Sequence, residues 1–167
     1  MKNREFPLIA RRRRSGSAPE RKVNCVLVGD GAVGKTSLIV SYTTNGYPPN
    51  MCPQRLTTLP RGSALSLRNL VDRWLPEIRH QCPDTPLVLV GTQLDLREDV
   101  QVLIQLAQNQ QRPVGTEEGR QLAEELGMVG FMEVSALTQK NLKDPFDSAI
   151  LASIQQTEME SCSEGGR

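Results

Sequence analysis

Eight residues, Gly29-Asp30-Gly31-Ala32-Val33-Gly34-Lys35-Thr36, constrain this chain more than any other stretch. They satisfy G-x-x-x-x-G-K-[ST], a loop whose backbone amides wrap phosphate. Such a loop is set between a buried strand and the first turn of a helix, and both flanks read correctly. Val23-Asn24-Cys25-Val26-Leu27-Val28 is an apolar run that reads as a buried strand. Ser37-Leu38-Ile39-Val40-Ser41-Tyr42 reads as the opening of a helix. The glycines permit the wrap because a residue without Cβ reaches backbone conformations closed to others. The amides then gather at a helix N-terminus, where the peptide dipoles favour negative charge. In that arrangement Lys35 reaches the terminal phosphates and the Thr36 hydroxyl ligates Mg²⁺. The alternative is a glycine-rich turn without a ligand, and the two flanks weigh against it.

A chain of 167 residues fits one domain. Hydrophobic residues at 38% support a core, while aromatics at 4% supply few large anchors for it. A net charge of +1 makes no field of the kind that draws nucleic acid, so no nucleic-acid partner is expected. Cys25, Cys52, Cys82 and Cys162 show no metal-ligand spacing, and the set fits a reducing, cytoplasmic setting. No run approaches the ~20 apolar residues of a membrane span. Arg11-Arg12-Arg13-Arg14 precede no apolar segment, so they read as a solvated tail rather than a signal peptide. Contact with anionic lipid or an acidic partner is the second reading of those arginines. Cys162 does not sit in a C-terminal C-a-a-X pattern, and Met1-Lys2 excludes myristoylation, so stable membrane anchoring is not expected.

Periodicity divides the chain into a disordered basic tail over 1–21, a domain over 22–156 and a second disordered tail over 157–167. Asn45-Gly46-Tyr47-Pro48-Pro49 should end the first helix. The stretch 50–62 has no clean period, and Ser63-Ala64-Leu65-Ser66-Leu67 alternates weakly, as a short edge strand would. Leu67, Leu70, Val71, Trp74, Leu75 and Ile78 recur at three and four and predict an amphipathic helix, kinked or loosened by Pro76. After a turn at 82–86, Leu87-Val88-Leu89-Val90-Gly91 is a second buried strand, continuous rather than alternating. A helix is expected over 100–108, and Thr116 is expected to cap another with Leu122, Ala123 and Leu126 inward. Phe131-Met132-Glu133-Val134 predicts a third short strand. Leu142, Phe146, Ile150 and Ile154 mark a last helix that tolerates Pro145 in its first turn and frays from Thr157.

Strands alternating with helices mean an α/β sheet. Ligands on such sheets bind at the carboxyl ends of the strands. Three polar loops lie there: Gly29–Thr36, Thr92–Asp95 and Ser135–Leu137. They are expected to converge on one ligand.

These residues resemble a known family. Val26-Leu27-Val28-Gly29-Asp30-Gly31-Ala32-Val33-Gly34-Lys35-Thr36-Ser37-Leu38 looks like the start of a Rho-family small GTPase. Gly91-Thr92-Gln93-Leu94-Asp95-Leu96-Arg97 resembles its guanine-specificity loop in the Thr-Gln-x-Asp form of the atypical branch. Ser135-Ala136-Leu137-Thr138-Gln139-Lys140-Asn141-Leu142 resembles the second base loop. The resemblance covers about residues 22–49 and 66–155. It implies a P-loop NTPase of the small GTPase type, with a parallel-type sheet, helices on both faces, and GTP or GDP with Mg²⁺ as ligands. It implies that Gly29 to Ser37 bind phosphate, with Lys35 on the β- and γ-phosphates and Thr36 on Mg²⁺. Asp95 accepts from the guanine N1 and N2 edge, and the Ala136 amide next to Ser135 meets the guanine oxygen. Gln93, following Thr92, packs on the base with Leu137, and Tyr47 covers its other side. Taken alone, Asp95 also suits a helix cap, and Tyr47 suits plain surface packing. Effectors and exchange factors are the partners of such a switch.

The departures bear on activity. The family's Mg²⁺-ligating threonine of the first switch falls at Gln54. Its Asp-x-x-Gly motif followed by Gln, which supports Mg²⁺ and orients the attacking water, has no counterpart. Between Tyr47 and Arg68 the family fits three strands and a helix, which need roughly 26 residues at average lengths before any loop. The 22 residues available cannot hold them. The missing strands include both neighbours of Val23–Val28, so a strongly destabilised domain is expected unless that strand pairs directly with Leu87–Val90. Three functions follow as candidates: a guanine-nucleotide switch with impaired hydrolysis, a non-catalytic interaction fragment, and a different P-loop enzyme such as a small-molecule kinase.

Overall fold

The computed structural model describes residues 23–31, 33–46 and 64–164, with the side chains of 160–164 outside that description. The basic tail, the irregular segment with Gln54, and the site residues Ala32 and Tyr47 lie outside the described residues. In chain order the elements are α1 (Lys35–Thr44), α2 (Ala64–Asn69), a π-helical turn (Leu70–Trp74), α3 (Leu75–Gln81), β1 (Val88–Gly91), a 3₁₀ turn (Leu94–Leu96), α4 (Val100–Gln108), α5 (Thr116–Glu125), β2 (Gly130–Glu133) and α6 (Asp144–Glu164).

Among the described residues, the sheet has two strands. β1 and β2 pair in parallel with Leu89 opposite Phe131 and Gly91 opposite Glu133. Side chains alternate across a strand, so the two faces can be read from the residues. Phe131 points at α5, where its ring lies against Gly119. Val90, one step out of phase with its neighbour Leu89, packs on the core formed by Leu38, Val134, Leu142 and Phe146. Helices therefore cover both faces, α5 on one and α1 with α6 on the other. Tyr42 of α1 stacks on Phe146 of α6, with ring centroids 4.0 Å apart. An ion-paired network closes the α5 side. The Arg97 guanidinium forks onto the Glu133 carboxylate and also donates to Val114 O at 2.9 Å, while Thr116 Oγ1 donates to Glu133 at 2.9 Å.

Four expectations are corrected. Val23–Val28 forms no strand: Cys25 makes one isolated bridge, Val26 is 57% exposed, and the segment joins neither β1 nor β2. An extended apolar segment becomes a strand only when neighbours take its amides and carbonyls, and the described sheet supplies none. Only Leu27 packs toward the core. The weak alternation predicted as an edge strand folds, over its described residues 64–67, as part of α2. Serine and leucine both accept helical geometry, and the apolar period beginning at Leu67 extends backward into it. Thr116 is the first residue of α5 and Gly115 precedes it as the cap, because the threonine hydroxyl is committed to Glu133. Finally, α6 continues through Thr157 to Glu164, as a helix without a breaker can.

Phe131 sets a sharp packing limit. A Cβ added at Gly119 would lie 2.6 Å from the ring, and one added at Gly91 would lie 3.1 Å from it. The ring lies between the two glycines, so a Cβ at Gly119 would force it to shift. Gly119→Ala gains about 1 kcal/mol of helix propensity but incurs overpacking of about 1–3 kcal/mol. The expected result is net destabilisation, read as a lower urea midpoint. Phe131→Leu in the same chain should recover part of it.

Candidate functional site

The phosphate loop stands at the start of α1. Gly34 precedes the helix at φ 93°, a left-handed conformation that a side chain would strain, and Leu38 N donates to Gly34 O at 2.9 Å to begin the helical ladder. Lys35 crosses the mouth of the loop: its Nζ donates to Gly29 O at 2.8 Å and to Asp30 O at 2.5 Å. Val33, Gly34 and Ser37 are half-buried around it, whereas Gly31 and Thr36 are exposed. One serine or threonine hydroxyl suits Mg²⁺, which keeps several waters and draws most other ligands from phosphate oxygens. Thr36 fits that requirement. Among the described residues no group of three His, Cys, Asp or Glu gathers as a metal site.

The two other loops leave the carboxyl ends of β1 and β2, and parallel pairing puts those ends side by side. Both bend through left-handed residues other than glycine: Gln93 at φ 59°, Gln139 at φ 60° and Asn141 at φ 54°. Such conformations cost about 1–3 kcal/mol each and concentrate at ligand clamps. Hydrogen bonds fasten the loops together. Leu94 N donates to Val134 O at 3.1 Å, and Ser135 Oγ donates to Asp95 Oδ1 at 2.5 Å. The Thr138 amide in turn donates to Ser135 Oγ at 3.1 Å, so that fully buried hydroxyl is used twice.

The same loops are fastened to the phosphate loop. Thr92 Oγ1 donates to Val33 O at 2.6 Å. Ser41, fully buried on α1, donates to Ala136 O at 3.0 Å. A Cβ built on Gly34 would lie 3.9 Å from the Gln93 amide nitrogen. Thr92 and Gln93 thus stand against the loop 29–37, Asp95 is bonded to Ser135, and Ala136 to α1, with Leu137 46% exposed.

Three contacting residues were not legible beforehand. Ser41 reads as an ordinary polar helical residue, and only its place three residues after Leu38 signals a buried face. Asn69 and Trp74 read as part of an amphipathic helix, yet both reach Asp30. Asn69 Nδ2 donates to Oδ2 at 2.8 Å and Trp74 Nε1 to Oδ1 at 2.9 Å. Burial alone would raise the Asp30 pKa. The two donated bonds, with the Lys35 and Arg73 charges, outweigh burial and hold the carboxyl below its ordinary range.

Comparison with known proteins agrees with this geometry. The sequence profile of the Ras family matches residues 24–55 and 63–155. Rho-related GTP-binding protein RhoV of Bos taurus is 43% identical to this chain, in a match that takes in 85% of the chain and 78% of the relative. Rho-related GTP-binding protein RhoV of Homo sapiens and of Mus musculus are each 43% identical as well, over 82% of this chain and 76% of theirs.

Proposed function

From the premise that this chain belongs to the Ras family of small GTPases, within its Rho group, we propose that it binds GTP and GDP at the loop 29–37 with weakened affinity and impaired hydrolysis. The observation that carries the reading is the fastening of three loops at one place, Thr92 to Val33, Ser41 to Ala136 and Ser135 to Asp95. A purine held between the second and third loops would have its phosphates at the first. The Asp95 carboxylate is a paired acceptor for the two N–H groups of guanine, and adenine offers no such edge. Ser135 orients that carboxylate.

In this reading Lys35 and the amides from Gly29 to Ser37 hold the phosphates, and Mg²⁺ on Thr36 would neutralise part of their charge. Tyr47, Gln93 and Leu137 would enclose the base. Effectors and exchange factors would be partners, as for a Rho-type switch, and the altered switch surfaces would weaken their grip.

Impairment is inferred from a gap inside the chain. The bovine match runs over 185 positions yet takes in 85% of a 167-residue chain, about 142 residues, so about 43 positions face no residue here. The family match is itself interrupted between residues 55 and 63. The Asp-x-x-Gly-Gln element that positions water in such enzymes is missing from the sequence. The exposure of Val26 and Val28, in a segment that joins neither strand of the described sheet, fits the loss of its neighbouring strands.

Titration of fluorescent GDP into the purified chain tests the proposal. Expected are saturable binding, competition by GTP but not by ATP, and dependence on Mg²⁺. Turnover of GTP should not exceed the intrinsic rate of intact relatives. Equal competition by ATP would move the chain to another P-loop chemistry. The exposed Val26 and Val28 also favour a second reading, a nucleotide-independent interaction fragment, which requires partner capture that is indifferent to a GTP analogue.

A further inference from the structure

The Asp30 carboxylate is gripped from outside the phosphate loop. Its two oxygens accept from Asn69 and Trp74, donors 39 and 44 residues further along the chain. Those donors are five residues apart. In an α-helix they would point about 140° away from each other. The π turn Leu70–Trp74 reduces that offset, because i→i+5 bonding winds more residues into each turn than an α-helix does, and Leu75 N donates to Leu70 O. Pro76 explains why the turn sits there. It has no N–H to offer Asp72 O, and its ring crowds that carbonyl. Local sequence thus opens the helix at the place where two donors must share one face.

A carboxylate in a phosphate loop is a liability. With an effective dielectric of about 20, an anion about 6 Å from a phosphate charge would weaken binding roughly a hundredfold. Lys35 and Arg73 offset part of the charge, and the two donated hydrogen bonds favour the ionised form of the carboxyl.

We propose that Asn69 and Trp74 are positioning residues that hold the Asp30 carboxylate aside, so that the loop stays attractive to a polyphosphate. The inference rests on the nucleotide reading above, since it requires phosphates in the loop. It assigns to the α2–α3 segment a part in phosphate binding that its apolar period does not suggest. Neither side chain is required to touch the nucleotide.

The test uses the full chain and three ligands, GMP, GDP and GTP. Trp74→Phe keeps the ring without the N–H, and Asn69→Leu keeps the shape without the amide. The pair together should weaken GDP binding about tenfold through the released charge, GTP binding by more and GMP binding by less. Adding Asp30→Asn should restore most of the lost affinity. If the double variant melts without a cooperative transition, Trp74→Phe alone is measured, with the same ordering of ligands and the same rescue expected. Equal loss for all three ligands, or no rescue by Asp30→Asn, would show a structural contact only and overturn the inference. If the unaltered chain binds none of the three, the nucleotide reading falls first and this inference with it.

Discussion

Phe146→Ala is expected to abolish the cooperative thermal transition of this chain. Phe146 is 4% exposed, stacks on Tyr42, and belongs to a core cluster with Leu38, Val134 and Leu142. Truncating a buried phenylalanine costs about 3–5 kcal/mol in lost transfer energy and residual cavity. The stacked partner adds about 0.5–1.5 kcal/mol. A typical domain holds only about 5–15 kcal/mol in total, and this one has few reserves. Among the described residues only seven apolar side chains are buried, and one of those is an alanine. Circular dichroism reads the outcome directly. The unaltered chain should melt below ~45 °C, at the low edge of mesophilic domains, and Phe146→Ala should lose ellipticity gradually with no sigmoid. Leu151→Ala on the same helix removes a side chain that is 60% exposed and should change stability by less than about 0.5 kcal/mol. A sharp transition retained by Phe146→Ala would mean that the core lies elsewhere.

The second large effect concerns the ligand rather than the fold. Lys35→Ala should weaken GDP binding about a hundredfold or more. An ammonium on phosphate oxygens makes charge-assisted bonds worth about 1.5–3 kcal/mol each, and each 1.4 kcal/mol is about tenfold in affinity. Lys35 also bridges Gly29 O and Asp30 O within the loop, so its removal loosens the cradle as well. Three of the four members of the core cluster lie on other elements, and the thermal transition should therefore move little. Lys35→Arg retains the charge but spreads it over a planar fork, and is expected to recover only part of the affinity. Unchanged GDP affinity in Lys35→Ala would remove the phosphate loop from the proposed function.

Much of this arrangement was legible in single segments. β1, β2 and α4 lie where apolar runs and helical period place them, because short parallel strands and capped helices carry their signal locally. Asp99 illustrates this: its carboxylate accepts from the Gln101 and Val102 amides at the head of α4. Val23–Val28 shows the limit of local reading. Its composition is that of a buried strand, but a strand exists only as half of a ladder, and no residue within the segment reveals whether the other half is present. Thr116 shows the same limit on a smaller scale, since its hydroxyl serves a carboxylate 17 residues away instead of its own helix.

The phosphate-loop motif and the order of the three polar loops were determined by sequence alone, because spacing along the chain fixes which backbone and side-chain groups a short loop can present. Tertiary structure alone decided that Ser41 binds Ala136, that Ser135 orients Asp95, and that Asn69 and Trp74 grip Asp30. These contacts join groups between 39 and 95 residues apart. Their partners are chosen by how helices pack over the sheet, a choice that no local propensity encodes.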